Sequence, residues 1–303
     1  MIVCRYADGG RSGYGRVEPE HGGSLVVPIR RSAGRWVGGP GRARPVDELS
    51  LLPPAEPTKI ICVALNYSAA ARPAPGRGRP GSADSTVVLL KPPSSLAGPE
   101  HHIGHPGGSW ELRHEAELAV VIGTRCKRVP VEYAADVVAG YTCANDITAY
   151  ARRDAEASGT PAAPPPVWAK HFDGCTPLGP WLATDLDPAD VEITCRVDGR
   201  ARQRGNTRDL IVPVPELIAL ISEHMTLLPG DVVLTGTPEG SGPLMVGSRV
   251  EVSIAGIGTL RNTVDMPSGT AWTSDGDRND RPGPLSFAGR PAGEEGGPSD
   301  ADR

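Results

Sequence analysis

HEAELAVVIG, residues 114–123, is the stretch on which the fold turns. Leu118 to Ile122 make an unbroken apolar run with the length and β-branched content of a strand buried on both faces. Successive side chains of a strand alternate between faces, so Glu115 and Glu117 at its mouth project from one face with Cα atoms about 7 Å apart. Two ionised carboxylates placed so closely repel unless positive charge lies between them. A second apolar run, AGYTCANDIT (139–148), stops at Asp146. A third carboxylate from a neighbouring strand would complete an all-oxygen set suited to Mg²⁺ or Mn²⁺. Read alone, the alternation is better explained by two solvent-facing glutamates on an edge strand, because alternating charge is common on half-exposed strands.

Outward from that strand, Lys59–Leu65, Thr86–Leu90, Val191–Asp198, Asp231–Thr235, Arg249–Ile254 and Gly258–Val264 also have strand length and β-branched content. Val131, Ala134, Ala135 and Val138 share a helical face by their spacing. Val214, Leu217, Ile218 and Ile221 do the same around the start signal of Pro215. The chain is therefore expected to be α+β and β-dominated. Residues 1–55 carry two strand-like runs, Ile2–Tyr6 and Ser24–Ile29, separated by Gly-rich turns and followed by a Pro-rich connector at Leu52–Pro57. That pattern predicts a small N-terminal β-rich subdomain ahead of a catalytic domain over 56–266. Residues 267–303 are almost devoid of apolar side chains and are expected to form a disordered tail. Pro/Gly/Ala-rich stretches at 71–84 and 157–166 interrupt the core, and loops of that length tend to be lids or disordered segments.

Composition narrows the class. With 303 residues and 39% hydrophobic content the chain can bury a sizeable core. A net charge of −5 with no basic stripe argues against a nucleic-acid partner. No apolar stretch reaches membrane-spanning length, and MIVCRYADGGRSG at the N-terminus lacks the features of a signal peptide, so a cytoplasmic protein with no membrane partner is expected. The six cysteines are scattered without a C-x-x-C spacing, which favours buried free thiols over disulfides or a zinc site.

From Lys59 to Val264 seven motifs stand in order: KIICVALNYS (59–68), VVLLKPPSSLAGP (87–99), HEAELAVVIG (114–123), VVAGYTCANDITA (137–149), KHFDGCTPLGPW (170–181), VDGRARQRGNTRDLI (197–211) and MTLLPGDVVLTGTPEGSG (225–242). In this the chain resembles the fumarylacetoacetate hydrolase family. The resemblance implies a mixed β-roll core, a divalent metal, usually Mg²⁺, held by Glu115, Glu117 and Asp146, and a homodimer. It also implies that Lys170 faces the substrate, where an ammonium can stabilise a developing enolate or carboxylate. Lys91, at the end of an apolar run, is placed at the site by its family position, although a surface lysine snorkelling from a strand end fits the residues equally. Thr237 in GTPEG lies in a Gly-flanked turn that can hold a substrate carboxylate or simply end a strand. Asn66 and Tyr67 match the family N-Y pair, and a structural hydrogen bond explains Tyr67 as well as substrate binding does.

The departures decide between reactions. Family hydrolases place a histidine three residues after the N-Y tyrosine and, in many acylpyruvate-cleaving members, a glutamate three further on; this dyad activates water. Here those positions are Ala70 and Pro73. Likewise Tyr150 stands for the arginine usual four residues after the metal-binding Asp, and Arg153 for a glutamine or similar group, so both would reshape the substrate pocket. The possible stand-in bases are His101, His102, His105 and His171, of which His171 adjoins Lys170. The expected activity is metal-dependent conversion of a 2-oxo acid or β-dicarbonyl compound through a metal-bound enolate, by isomerisation, tautomerisation or decarboxylation. The alternatives are C–C bond hydrolysis of acylpyruvate or fumarylacetoacetate type, and a ligand-binding member without turnover.

Overall fold

The computed structural model describes residues 1–20, 23–32, 35–67, 86–106, 110–151 and 167–266, all within one compact unit, Met1–Pro267. The stretches at 71–84 and 157–166, the tail over 267–303, and Ala70, Pro73 and Arg153 lie outside the described residues. The strands read from the sequence form as Ile60–Ala64, Val87–Lys91, Ala116–Ile122, Glu192–Val197, Val232–Leu234, Arg249–Ile254 and Gly258–Asp265. The architecture is a β-dominated α+β fold.

The largest sheet has as its main path Arg35–Gly38, Gly23–Ser32, Arg11–Glu20, Ile2–Asp8, Thr176–Ala183, Val138–Asn145, Ala116–Ile122, Val232–Leu234, Ile60–Ala64 and Val87–Lys91. Along this path the pairings are antiparallel except between Val232–Leu234 and Ile60–Ala64, which run parallel; off it, Leu96–Ala97 also pairs parallel with Thr176–Ala183. A five-stranded sheet orders His102–Gly104, Gly258–Asp265, Arg249–Ile254, Glu192–Val197 and Arg200–Asn206. A three-stranded sheet sets Trp110–His114 between Thr148–Ala151 and Gly242–Leu244.

Every residue of Ala116–Ile122 is buried, as a continuous apolar strand inside a covered sheet should be. Leu118, Val120 and Ile122 pack into the main core with Ile193, Val250, Val252, Leu217 and Ile218. Ala119 and Val121 point to the other face, into a cluster with Ile60, Cys62, Leu178, Val232 and Leu234. Glu117 shares that second face by alternation. Val214–His224 is an α-helix, with Glu216 in its first turn and His224 in its last, and it buries Val214, Leu217, Ile218 and Ile221.

Two local expectations are corrected. Val131–Val137 is a 3₁₀ helix in which Ala134 is the buried residue, and Val138 already belongs to the next strand, paired with Ile122. Seven residues after Pro130 leave no room for the longer periodic face. The segment between the two N-terminal runs is itself a strand, Arg11–Glu20, paired on both sides. Its glycines serve close approach rather than turning: a Cβ on Gly15 would lie 2.1 Å from Val26 Cγ1. Ile2–Asp8 then joins Thr176–Ala183 (Ile2↔Ala183, Val3↔Leu182), so the N-terminal strands continue the sheet that carries the carboxylates. All six cysteines are free and five of them are buried.

Candidate active site

Ala116–Ile122 pairs antiparallel with Val138–Asn145 in the register Ala116↔Asn145 and Leu118↔Cys143. This register sets Glu115 beside Asp146 at the ends of the two strands. The Asp146 amide donates to the Glu115 carbonyl (2.8 Å), and the Glu115 amide donates to Asn145 Oδ1 (2.9 Å). Glu115, Glu117 and Asp146 each offer an oxygen, and the three lie within 4.8 Å of one another. Glu117 and Asp146 are 2% exposed and Glu115 9%. The solvent-facing alternative fails because the strand lies inside the sheet, flanked on both sides.

Two ammonium groups reach this cluster. Lys91, with a fully buried side chain at the end of Val87–Lys91, donates to Asp146 Oδ1 (2.6 Å) and the Cys175 carbonyl (2.8 Å). Lys170 closes the 3₁₀ turn Val167–Lys170 and donates to Glu115 Oε2 (2.9 Å) and Asp146 Oδ2 (2.6 Å). Cys175 braces both, since its thiol donates to the Lys170 carbonyl (3.3 Å). Burial opposes charge on these lysines, but Asp146 on both, and Glu115 on Lys170, raise their pKa values. Burial also opposes charge on Asp146, yet Lys170 and Lys91 overrule it and hold its carboxyl at about 2.

Glu117 differs. Burial, then the Asp146 charge, push its pKa well above the carboxylate range. Among the described residues its hydrogen bond comes from the Gly236 amide, to Oε2 at 2.7 Å. Gly236 reaches it with φ +103°, and a Cβ there would lie 2.9 Å from Asn66 Cβ. Three carboxylates thus face two ammoniums, and the uncompensated negative charge falls on Glu117. Hard oxygen donors with charge to spare fit a divalent cation, with Glu115, Glu117 and Asp146 as the residues that would hold it.

The remaining sequence candidates take varied places. Tyr67 is 3% exposed and its hydroxyl has no partner among the described residues; burial and then Glu117 raise its pKa. Asn66 is a staple, its amide bonded to the backbone of Val212 and Thr235. The Tyr150 hydroxyl donates to Glu115 Oε1 (3.3 Å), and burial and Glu115 push its pKa to about 12. The Arg113 guanidinium lies 5.1 Å from the Tyr150 ring centroid, so a cation stands behind the residue that replaces the family arginine. The Thr237 hydroxyl is held inside the protein, donating to the Ala116 carbonyl (3.0 Å). His171 is exposed and its Nε2 lies 2.8 Å from the Leu90 carbonyl. His102 pairs with Asp265 on the five-stranded sheet (2.6 Å). Arg113 and Gln203, which bonds Thr237 from the Arg200–Asn206 strand, carry no local signal that singles them out in the sequence.

Residues 59–265 match the family described as Fumarylacetoacetate (FAA) hydrolase C-terminal. The chain belongs to the fumarylacetoacetate hydrolase family. Among relatives, an uncharacterised protein of Pyrococcus abyssi (strain GE5 / Orsay) is 46% identical over 210 residues, covering 69% of this chain and 90% of that one. A mitochondrial oxaloacetate tautomerase of Arabidopsis thaliana is 42% identical over 212 residues, covering 69% and 91%. Among solved family structures, 5-carboxymethyl-2-hydroxymuconate delta-isomerase from Mycobacterium smegmatis superimposes with a TM-score of 0.73 at 36% identity, covering 88% of this chain and all of that one. Maleylpyruvate hydrolase from Sphingobium sp. SYK-6, in complex with manganese(II) and pyruvate, gives 0.68 at 30% identity, covering 88% and 99%. Family members thus bear the names of tautomerases, isomerases and hydrolases, and this chain is an enzyme of that family whose acidic triad suits a divalent metal.

Proposed function

We propose that this enzyme uses a divalent metal, Mg²⁺ or Mn²⁺, held by Glu115, Glu117 and Asp146, to convert a small 2-oxo acid through its enolate by tautomerisation, double-bond isomerisation or decarboxylation. The observation that carries the reading is the Lys170 ammonium, bridging Glu115 Oε2 and Asp146 Oδ2 at the rim of the under-compensated triad. Bound there, the cation supplies Lewis acidity that makes the C–H beside a chelated carbonyl easier to ionise. Lys170 stabilises the negative charge that develops on substrate oxygen, and Lys91 fixes Asp146 from behind. A carbonyl oxygen only accepts, so His171 Nε2 carries the proton donated to Leu90, and in the neutral ring Nδ1 is the basic nitrogen. His171 is therefore our candidate proton carrier. Tyr67, whose hydroxyl has no partner among the described residues, and Tyr150, with Arg153, are the candidate substrate contacts.

The names of the tautomerase and isomerase relatives support enolate chemistry, and the alanine and proline at 70 and 73 remove the water-activating dyad. The maleylpyruvate hydrolase neighbour keeps C–C hydrolysis as the second reading. We further infer a homodimer in the cytoplasm, for which size-exclusion chromatography with light scattering and cell fractionation are the tests. The activity test follows oxaloacetate, acylpyruvates and unsaturated 2-oxo diacids by deuterium exchange beside the carbonyl, with Mg²⁺ and with EDTA. Mg²⁺-dependent exchange is expected, with acylpyruvate hydrolysis about 10²–10⁴-fold slower than in a dyad-bearing relative. Absence of Mg²⁺-dependent exchange with every acid would overturn the proposal, and hydrolysis at the relative's rate would install the second reading.

A further inference from the structure

Ala116 is the residue between the two glutamates, and its backbone is held in an unusual way. On the side away from Val138–Asn145, the sheet ladder continues from Val232–Leu234 as far as the Leu118 carbonyl, which accepts the Thr235 amide (3.1 Å) and hydroxyl (2.9 Å). At Gly236 the neighbouring backbone turns off to serve Glu117. Without that neighbour, the buried N–H and C=O of Ala116 need other partners. Side chains provide them. The Ala116 amide donates to Gln203 Oε1 (3.1 Å), Gln203 Nε2 donates to Thr237 Oγ1 (2.8 Å), and the Thr237 hydroxyl donates back to the Ala116 carbonyl (3.0 Å). Gln203 is 2% exposed, and its remaining capacity goes to the Pro238 carbonyl (2.8 Å) and His114 Nδ1 (2.8 Å). All four of its bonds are made.

We infer that Gln203 and Thr237 are positioning residues, which set the relative placement of Glu115 and Glu117 by clamping both backbone groups of Ala116. The single hydroxyl proton of Thr237 is spent on that clamp, so its hydroxyl donates to the glutamate strand and not to a substrate oxygen. Because Gln203 ties the clamp to Pro238 and His114 as well, the turn after Gly236 and the start of the glutamate strand move as one piece. The inference rests on the metal reading of the triad, and it deepens that reading by naming what holds the ligands in register.

The test is Mn²⁺ binding to the EDTA-stripped full chain, read by electron paramagnetic resonance in the absence of substrate, with thermal unfolding of each variant as a control. Thr237→Val keeps the shape and removes the hydroxyl; Thr237→Ser keeps the hydroxyl; Gln203→Leu removes the amide. Supporting ligand-bearing groups from a second layer is typically worth 10- to 100-fold in metal affinity, so Thr237→Val and Gln203→Leu are expected to bind Mn²⁺ about 10- to 100-fold more weakly. Thr237→Ser should bind it as the wild type does. Should Gln203→Leu fail to fold, the valine and serine variants decide the matter alone. Wild-type Mn²⁺ affinity in a folded Thr237→Val chain, with weakened binding of oxo acid only, would overturn the inference and return Thr237 to the substrate. A wild-type chain that takes up no Mn²⁺ would overturn the metal reading and this inference with it.

Discussion

Asp231 and Glu117 are buried carboxylates on neighbouring stretches of one sheet, and they are treated in opposite ways. Asp231 Oδ1 accepts from the Thr58 amide (3.0 Å), the Thr58 hydroxyl (2.7 Å) and the Lys59 amide (3.2 Å), while Oδ2 accepts from the Leu228 amide (2.8 Å) and the Lys59 ammonium. Burial opposes its charge, yet these donors lower its pKa. Glu117, almost as deeply buried, receives one amide among the described residues and lies beside two other carboxylates, and its pKa rises. A carboxylate with every lone pair answered is a latch; one left short of donors among its own kind is a place prepared for a cation.

The sharpest way to break that contrast is to neutralise each member. Asp231→Asn presents an amide to groups that all donate, and is expected to cost about 3 kcal/mol of stability in urea unfolding. A loss well under 1 kcal/mol would deny Asp231 its role as a latch. Glu117→Gln should do the reverse. It removes a ligand, so Mg²⁺-dependent exchange should fall at least about 10²-fold, while the EDTA-treated variant melts higher than the EDTA-treated wild type at neutral pH. A lower melting temperature would show that Glu117 is already compensated without a metal.

The contrast also carries a pH signature. The folded pKa of Glu117 lies above its ordinary 4.5, so its contribution to stability is complete below that value and is lost as pH rises through the raised one. Asp146 behaves oppositely: held at about 2 against an ordinary 3.8, it contributes above 3.8 and its contribution is lost as pH falls towards 2. In scanning fluorimetry the stabilisation given by Mg²⁺ should therefore grow as pH rises above 4.5, because the cation favours the ionised Glu117. A Mg²⁺ shift that is flat with pH would count against it. The smallest effect belongs to Tyr150→Phe, which deletes one long hydrogen bond to Glu115 and should weaken Mn²⁺ binding by less than about tenfold, or about 1 kcal/mol. A larger loss would make Tyr150 part of the latch-like support.

The buried strands were legible because alternation and β-branched runs survive burial unchanged, and Arg249–Ile254 matches its sequence reading to the residue. The Arg11–Glu20 strand was not, since Gly13 and Gly15 read as turn residues until Tyr6 and Val26 are seen to occupy the space a Cβ would take. At the site, the acidic triad stood out by its charge beside apolar runs, whereas Lys91 and Lys170 read as ordinary surface or loop cations until the family resemblance placed them there. Gln203 could not: its neighbours in the strand are exposed arginines, and its partners lie 87 and 34 positions away in the chain. A neutral residue whose whole function is to hold other parts of the backbone leaves no compositional trace.

Gly236 has a consequence for anyone who wishes to alter the enzyme. Its backbone serves Glu117, its φ is left-handed, and Asn66 and Val63 close the space a side chain would need. In a saturation library every codon but glycine at this position should drop out, whatever acid is used for selection. Diversity aimed at new substrates is better invested at Tyr150, whose hydroxyl reaches Glu115 without forming the backbone that carries the carboxylates.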